Sequence, residues 1–222
     1  MKKRFYTLGI CIALFVGCSP GDPISSVLFV SPQLEGAEEL QRLPKRLLGQ
    51  YWSKRDSSQL SIYPDAIYSS KQYQWKVPVM ELDSTCILIG DSIIRDKESK
   101  ADLPVKRLGD TLYWTFDKAD TLFKLDENHI LKRYKAIWIL NSRQEEGWLL
   151  TKLEKKNKQL TWSYIDSVEI NQLKKLSDSY IDSVPFQFKI SSTKFKEFIS
   201  AQGFTDIDTF EFKSRLHKSY LK

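Results

Sequence analysis

A chain of 222 residues is long enough for one domain with a sizeable hydrophobic core. With 41% hydrophobic and 28% charged residues it can bury enough apolar surface to fold, which excludes a wholly disordered protein. The formal net charge is +6, but removing Lys2, Lys3 and Arg4 from the 34 basic residues leaves 31 against 28 acidic ones. That balance is too mild to indicate a nucleic-acid partner.

The first seventeen residues have the order of an export signal. Lys2, Lys3 and Arg4 give a positively charged start, and the uncharged stretch 6–16 follows. A membrane-spanning helix needs about 20 apolar residues, so this stretch is too short to span and suits the apolar region of a signal peptide. Residues 1–17 are therefore predicted to direct export and to be removed.

The signal ends in Phe15-Val16-Gly17-Cys18, which resembles the lipobox of bacterial lipoproteins. In that family a peptidase cuts before the cysteine, whose thiol and new amino group then receive fatty acyl chains such as palmitate. The resemblance implies a lipoprotein of the bacterial cell envelope, held at the outer membrane through Cys18, on either its periplasmic or its outer side. Two or three acyl chains give stable anchoring. The alternative is an ordinary secretory signal in which Cys18 has no role.

Residues 18–45 are predicted to form a tether and one short helix. Pro20, Gly21 and Pro23 disfavour regular structure directly after Cys18. The stretch 35–48 has leucines at helical spacing, although Pro44 should divide it. The sequence leaves open whether the apolar run 27–30 joins the body as a strand.

From Gln50 onward, short runs rich in β-branched and aromatic residues alternate with turn residues. This punctuation predicts an antiparallel meander of about ten strands, within a domain over residues 46–190. Gly90-Asp91 and Gly109-Asp110 are expected to form two-residue hairpin loops with glycine at positive φ. Cys86 begins an apolar run and is interpreted as a buried structural thiol rather than a nucleophile.

The apolar pattern predicts which strand faces are buried. Alternation puts Leu112, Trp114 and Phe116 on one face of a strand, and the stretch 160–164 repeats that pattern around Trp162. The stretch 136–140, with Trp138 at its centre, is apolar on both faces. It is therefore expected to be central in the sheet or covered by a helix.

Residues 191–222 are predicted to form a helix and a tail, and a second helix is predicted over 169–177. The helix that follows Ser191 should end at Gly203, as a glycine in the first position beyond its C-terminal cap. Its apolar stripe is expected to pack on the sheet: Phe195, Phe198 and Ile199.

Two further resemblances concern the fold. Gly49-Gln50-Tyr51, with Trp52 beside it, resembles the glycine-x-aromatic opening of lipocalin-like barrels, and Tyr134 to Trp162 is similar to uncharacterised lipoproteins of Bacteroidota-type bacteria. These resemblances imply a β-rich envelope lipoprotein and leave its activity open. The predicted fold class is mainly β: an antiparallel meander forming a curved sheet or a lipocalin-like barrel, with one or two C-terminal helices packed on it.

Catalytic and metal-binding patterns are weak in this sequence. The chain has no G-x-S-x-G nucleophile motif and no glycine-rich phosphate loop, and its clustered carboxylates are explained by turns. His129 follows Asp126-Glu127-Asn128, but no second histidine or cysteine stands at ligand spacing. No enzyme activity, metal or cofactor is predicted, and an envelope hydrolase is the least favoured alternative.

The predicted function is a lipid-anchored, non-enzymatic protein of the cell envelope that binds a small apolar ligand or an envelope partner. Trp114, Trp138 and Trp162 are the candidate ligand-lining residues. The alternative is a structural or inhibitory surface protein in which these tryptophans fill a solid core. Recurring basic pairs such as Lys106-Arg107 are interpreted as a solvated surface, with contact to anionic lipid or glycan as the alternative.

Overall fold

A computed structural model describes residues 27–216, so Cys18, the signal peptide 1–17 and the start of the tether lie outside the described residues. The fold is mainly β, with 53% of residues in strands and 12% in helices, as predicted. The described chain forms two compact units. The small unit is Gln72–Lys118, and the large unit comprises 27–71 and 119–216.

Residues 27–216 contain seventeen strands and two α-helices. The strands are β1 (Val27–Phe29), β2 (Glu39–Leu40), β3 (Gly49–Ser53), β4 (Gln59–Ile62), β5 (Ala66–Pro78), β6 (Cys86–Ile89), β7 (Ile93–Asp96), β8 (Asp102–Pro104), β9 (Lys106–Leu108), β10 (Thr111–Lys124), β11 (His129–Tyr134), β12 (Ile137–Gln144), β13 (Gly147–Lys156), β14 (Gln159–Tyr164), β15 (Ser179–Ile181), β16 (Phe186–Lys189) and β17 (Asp206–Ser214). The α-helices are α1 (Ile170–Leu176) and α2 (Ser192–Ser200), and short 3-10 helices cover Val79–Glu81 and Ser167–Glu169.

The large unit is built on one sheet, in the order β15-β16-β1-β13-β14-β17-β3-β4-β5-β10, with β12, β11 and β2 added beyond β13. The sheet is antiparallel except where β1 runs parallel to β16. An isolated bridge joins Asp126 to His129 at the turn between β10 and β11. Among the described residues the sheet is not closed into a barrel. Of the two predicted arrangements, the open sheet is therefore the one formed.

Strand β12 separates two apolar cores. Its alternate residues Ile137 and Ile139 belong to one core, and Trp138 and Leu140 belong to the other. The prediction that this stretch is buried on both faces is confirmed. The helix-side core contains Val27, Phe29, Leu34, Ile137, Ile139, Trp148, Leu150, Ile165, Leu173, Phe188, Ile190, Phe195, Phe198 and Phe204. The strand-side core contains Leu43, Leu47, Tyr51, Leu60, Ile62, Ile67, Phe123, Leu131, Trp138, Leu140, Leu153, Leu160, Trp162 and Phe210.

Helix α2 covers the helix-side core as predicted. The hydroxyl of Ser191 caps its N-terminus by accepting a hydrogen bond from the Lys194 N–H, and Phe195 and Phe198 are fully buried. Its C-terminus differs from the prediction, because the left-handed residue is Gln202, with φ 62°. The Gly203 N–H donates to the Phe198 carbonyl at 3.0 Å, which places Gly203 one position later in a Schellman motif.

The two ends of the described chain contain strands that the sequence alone left undecided or missed. Strand β1 lies buried between β13 and β16, with Phe29 fully buried. Strand β17, predicted to be tail, pairs with β14 on one side and β3 on the other. The predicted short helix in 35–48 is replaced by β2 and turns: Glu39 and Leu40 pair with β11, and Pro44 lacks the N–H that a continuing helix would need.

The small unit contains the three-stranded sheet β6-β7-β8 and the hairpin of β9 with β10, beside the end of β5. Gly109 has φ 61° in a two-residue loop, since Leu108 pairs with Thr111. Gly90 also has positive φ, at 57°. Its loop is one residue longer than predicted, because Ile89 pairs with Ile93.

Candidate functional site

The three candidate tryptophans fall in different parts of the structure. Trp138 and Trp162 both lie in the strand-side core, on either side of Leu153, which pairs with each of them. Trp114 belongs to the small unit and is half-buried. The structure therefore brings two of the three predicted residues together in one core, and the third belongs to the other unit.

The two core tryptophans have no water-facing surface of consequence, being 0% and 4% exposed. The Arg46 guanidinium lies 4.1 Å from the centroid of the Trp138 ring, a cation–π contact. Both indole Nε1 groups, of Trp138 and Trp162, are buried without a hydrogen-bond acceptor among the described residues. A buried N–H without a partner costs about 1–3 kcal/mol, so these two donors are the polar feature that an interior ligand would satisfy.

A hydrogen-bonded network closes one side of the strand-side core. The Tyr51 hydroxyl donates to the Leu47 carbonyl at 2.6 Å and accepts from Lys155 Nζ at 2.9 Å. Lys155 Nζ also donates to the Arg46 carbonyl at 2.8 Å. Burial raises the pKa of Tyr51, and burial, with the charges of Arg215 and Arg46, lowers the pKa of Lys155. These hydrogen bonds hold the chain before β3 against β13. The Tyr51 hydroxyl and the Lys155 ammonium group are therefore already engaged within the fold.

The small unit carries a cluster of partly exposed aromatic rings that we call the aromatic surface. It consists of Tyr73, Trp75, Trp114 and Phe116, from the adjacent strands β5 and β10. Tyr73 and Trp75 are each 37% exposed and Phe116 is 41% exposed. Clustered exposed apolar groups on a folded protein commonly mark an interaction site.

The rings of the aromatic surface are ordered by one another. The Tyr73 and Phe116 centroids are 5.5 Å apart with an interplanar angle of 18°, and those of Trp75 and Trp114 are 6.4 Å apart at 24°. The Trp75 and Phe116 centroids are 6.1 Å apart, so the four rings form a chain in the order Tyr73, Phe116, Trp75, Trp114. Since each ring comes from a paired strand, the arrangement exists before a ligand arrives, and little side-chain entropy remains to be lost on binding.

The alternation of apolar and polar residues in the sequence placed Trp114 and Phe116 on one strand face with Leu112. These two residues form half of the aromatic surface. The sequence did not reveal that Leu112 alone on that face is fully buried, whereas Phe116 faces solvent. Tyr73 and Trp75 also alternate with glutamines in β5, in Gln72-Tyr73-Gln74-Trp75. That alternation is the signal by which the second half could have been found.

Charges in the small unit neutralise one another. Residues Gln72–Lys118 contain seven Lys and Arg against eight Asp and Glu. Arg95 donates to both oxygens of Asp102 at 2.6 and 2.7 Å, and this hydrogen bonding lowers the pKa of Asp102. Arg107 contacts Asp91 at 2.7 Å and Asp110 at 3.7 Å. The aromatic surface therefore belongs to a unit with almost no net charge.

The remaining candidate groups are dispersed. His129 Nδ1 lies 2.8 Å from Asp126 Oδ1, and this hydrogen bond lowers the pKa of Asp126. Within residues 27–216, no three His, Cys, Asp or Glu side chains are placed to hold a metal ion. Cys86 is half-buried, with its Sγ 3.8 Å from Thr85 Oγ1.

The chain matches no protein-family model, no curated protein and no solved structure. In the part of the chain that the structure describes, none of the helices is long and apolar enough to cross a membrane.

Proposed function

We propose that this protein is a lipid-anchored, non-enzymatic binding protein of the bacterial cell envelope, and that it contacts its ligand through the aromatic surface. The observation that carries the binding role is the cluster of Tyr73, Trp75, Trp114 and Phe116, with rings ordered before binding and about a third or more exposed in three of the four. The lipobox resemblance at Cys18 supports the anchoring role.

The position of β1 limits how far the body would stand from the membrane. Val27 is the first residue of β1 and is only nine positions after Cys18. At about 3.5 Å per fully extended residue, the intervening chain would reach at most about 32 Å. An acylated Cys18 would therefore keep the large unit within about one bilayer thickness of the membrane surface.

The anchor is tested by expressing the full chain and Cys18→Ser in a bacterium supplied with labelled palmitate. The natural sequence should incorporate the label and sediment with membranes, because its acyl chains bury their methylene groups in the bilayer. The variant should lose both properties. Equal label and equal membrane association in the two proteins would overturn the anchoring proposal.

The binding role is tested by oxidative footprinting of the membrane-held lipoprotein, with and without cell-envelope extract. Trp75 and Trp52 are matched probes, because both are 37% exposed and Trp52 lies outside the aromatic surface. The extract should protect Trp75 from oxidation at least several-fold more than it protects Trp52. Equal protection of the two residues, or none, would overturn the proposed site.

One observation favours a second candidate function, the binding of a small ligand inside the strand-side core. The two unpartnered indole N–H groups of Trp138 and Trp162 would be satisfied by a ligand with hydrogen-bond acceptors. Native mass spectrometry of the envelope-purified protein should then show a retained small molecule. Its loss in Trp138→Phe, which keeps an aromatic ring but removes the donor, would support this candidate; a protein without added mass would contradict it.

A further inference from the structure

We infer that the aromatic surface binds a neutral glycan, such as an oligosaccharide segment of an envelope polysaccharide. This inference rests on the proposed function, since it names the ligand class of the same site. Three properties of the surface support it: its size, its charge and its openness to solvent.

The size of the surface suits a short sugar chain better than a folded protein. An aromatic side chain offers about 150–250 Å² in all, so three rings at roughly 40% exposure and the half-buried Trp114 present at most on the order of 300 Å². A stable protein interface buries about 800 Å² on each partner. The other strongly exposed apolar side chains of the small unit lie on different elements: Met80, Ile87, Leu103 and Leu108.

Charge argues for an uncharged ligand. Contact with anionic lipid requires a cluster of free basic groups near the surface. In the small unit the basic residues are outnumbered by acidic ones, and Arg95 and Arg107 are engaged with Asp102 and Asp91. A neutral ligand has no net charge to be attracted or repelled by such a surface, so ring contacts and uncharged hydrogen bonds supply its binding energy.

The openness of the surface selects an amphipathic ligand. A small apolar ligand favours a cleft that buries 70–90% of its area, as is typical of ligand pockets. A sugar ring instead has an apolar C–H face and a rim of hydroxyl groups. When its C–H face stacks on the paired Trp75 and Trp114 rings, the hydroxyl groups stay in water and need no buried partners.

The test uses the full lipoprotein in a detergent without a sugar headgroup, lauryldimethylamine oxide. Calorimetric titration with neutral cello-, malto-, xylo- and manno-hexasaccharides should give saturable binding to at least one of them. Trp75→Ala should weaken that binding about tenfold or more, within the range of aromatic stacking contributions. Trp52→Ala, which removes an equally exposed tryptophan from the large unit, should leave affinity unchanged, and circular dichroism should show that both variants are folded.

A second arm separates this inference from the proposed function. Envelope extract is treated with periodate, which cleaves sugar diols, and footprinting of Trp75 is repeated. Loss of protection supports a glycan ligand. Protection that survives periodate, together with no binding to the hexasaccharides or with binding to neutral phosphatidylcholine vesicles instead, overturns the glycan inference while leaving the site intact. No Trp75 protection by untreated extract overturns the proposed function itself.

Discussion

The Phe198 ring occupies the space that a Cβ atom on Gly203 would need. A Cβ built on Gly203 would stand 2.5 Å from both Cε2 and Cζ of that ring. Gly203 is also not in the left-handed region, which is taken by Gln202. The glycine is therefore required for close packing of the chain that leaves α2 over the helix-side core, and not for turning the chain.

Gly203→Ala should destabilise the protein by about 1–3 kcal/mol, the usual cost of overpacking a core. Chemical unfolding measures this loss. The matched control is Gly203→Ala in a Phe198→Leu background. Leucine lacks the Cε2 and Cζ ring atoms that the new Cβ would meet. The two changes together should cost less than the sum of each alone, whereas simple additivity would contradict the steric explanation.

Phe198→Ala should lower the free energy of unfolding by about 3–5 kcal/mol, because the fully buried ring leaves a cavity in the helix-side core. Val168→Ala is the comparison, since Val168 is 68% exposed and its truncation should change stability by less than about 0.5 kcal/mol. A loss below about 1 kcal/mol for Phe198→Ala would mean that the stripe of α2 does not pack on the sheet.

The buried carboxylate of Glu169 links the N-terminus of the 3-10 helix Ser167–Glu169 to the chain that follows α2. Its Oε2 accepts from the Asp166 N–H at 2.6 Å, completing a capping box, and its Oε1 accepts from the Thr205 N–H at 2.8 Å. Glu169→Ala would leave both donors without this acceptor, at an expected cost of about 2–4 kcal/mol. Glu197→Ala, at an exposed site on α2, is the control. Equal midpoints of urea unfolding for the two variants would contradict the expectation.

Asp56 should make stability depend on pH. Burial opposes ionisation of this carboxyl, but hydrogen bonds from the side chain and N–H of Ser58, and from Lys71, outweigh it and lower the pKa from 3.8 to about 2. A carboxyl with a lowered pKa in the folded state stabilises the fold above its unfolded pKa, and this contribution is lost as pH falls from about 4 to about 2.

The measurement is urea unfolding of the natural protein and Asp56→Asn between pH 2 and pH 7. The stability difference should be constant above about pH 5 and should shrink as pH falls toward 2. Asp110→Asn is the control, because the Asp110 side chain is 99% exposed and should contribute little at any pH. A difference for Asp56→Asn that does not change with pH would refute the role of the ionised carboxylate.

Local patterns predicted much of the fold. The buried face of β14 at Leu160 and Trp162, the tight loop at Gly109 and the capped helix after Ser191 all appear in the structure, whereas in β10 only Leu112 of the predicted face is fully buried. These features depend on contacts between near neighbours, whose geometry is set by residue type and spacing. The strand β17 was missed although Phe210 and Phe212 alternate with Glu211 and Lys213, because its many polar residues also fit an exposed tail.

The candidate site was only half predicted. Trp114 was named from its strand pattern, but so were Trp138 and Trp162, which the structure buries in the strand-side core. All three sit in similar alternating or apolar strands, so the local sequence cannot distinguish a ring that packs inside from one that meets water. Tyr73 and Trp75 were not among the residues that the sequence predicted for the site.

The sequence by itself determined a mainly β chain, a helix whose apolar stripe needs a sheet to cover, and a central strand buried on both faces. Those properties follow from the order of side chains along a single element. Only the tertiary structure decided that β17 lies between β14 and β3, that the sheet stays open, and that Tyr73 and Trp75 meet Trp114 and Phe116. The physical reason is that burial of a strand face depends on which distant segment packs against it, and that choice is made by the whole chain.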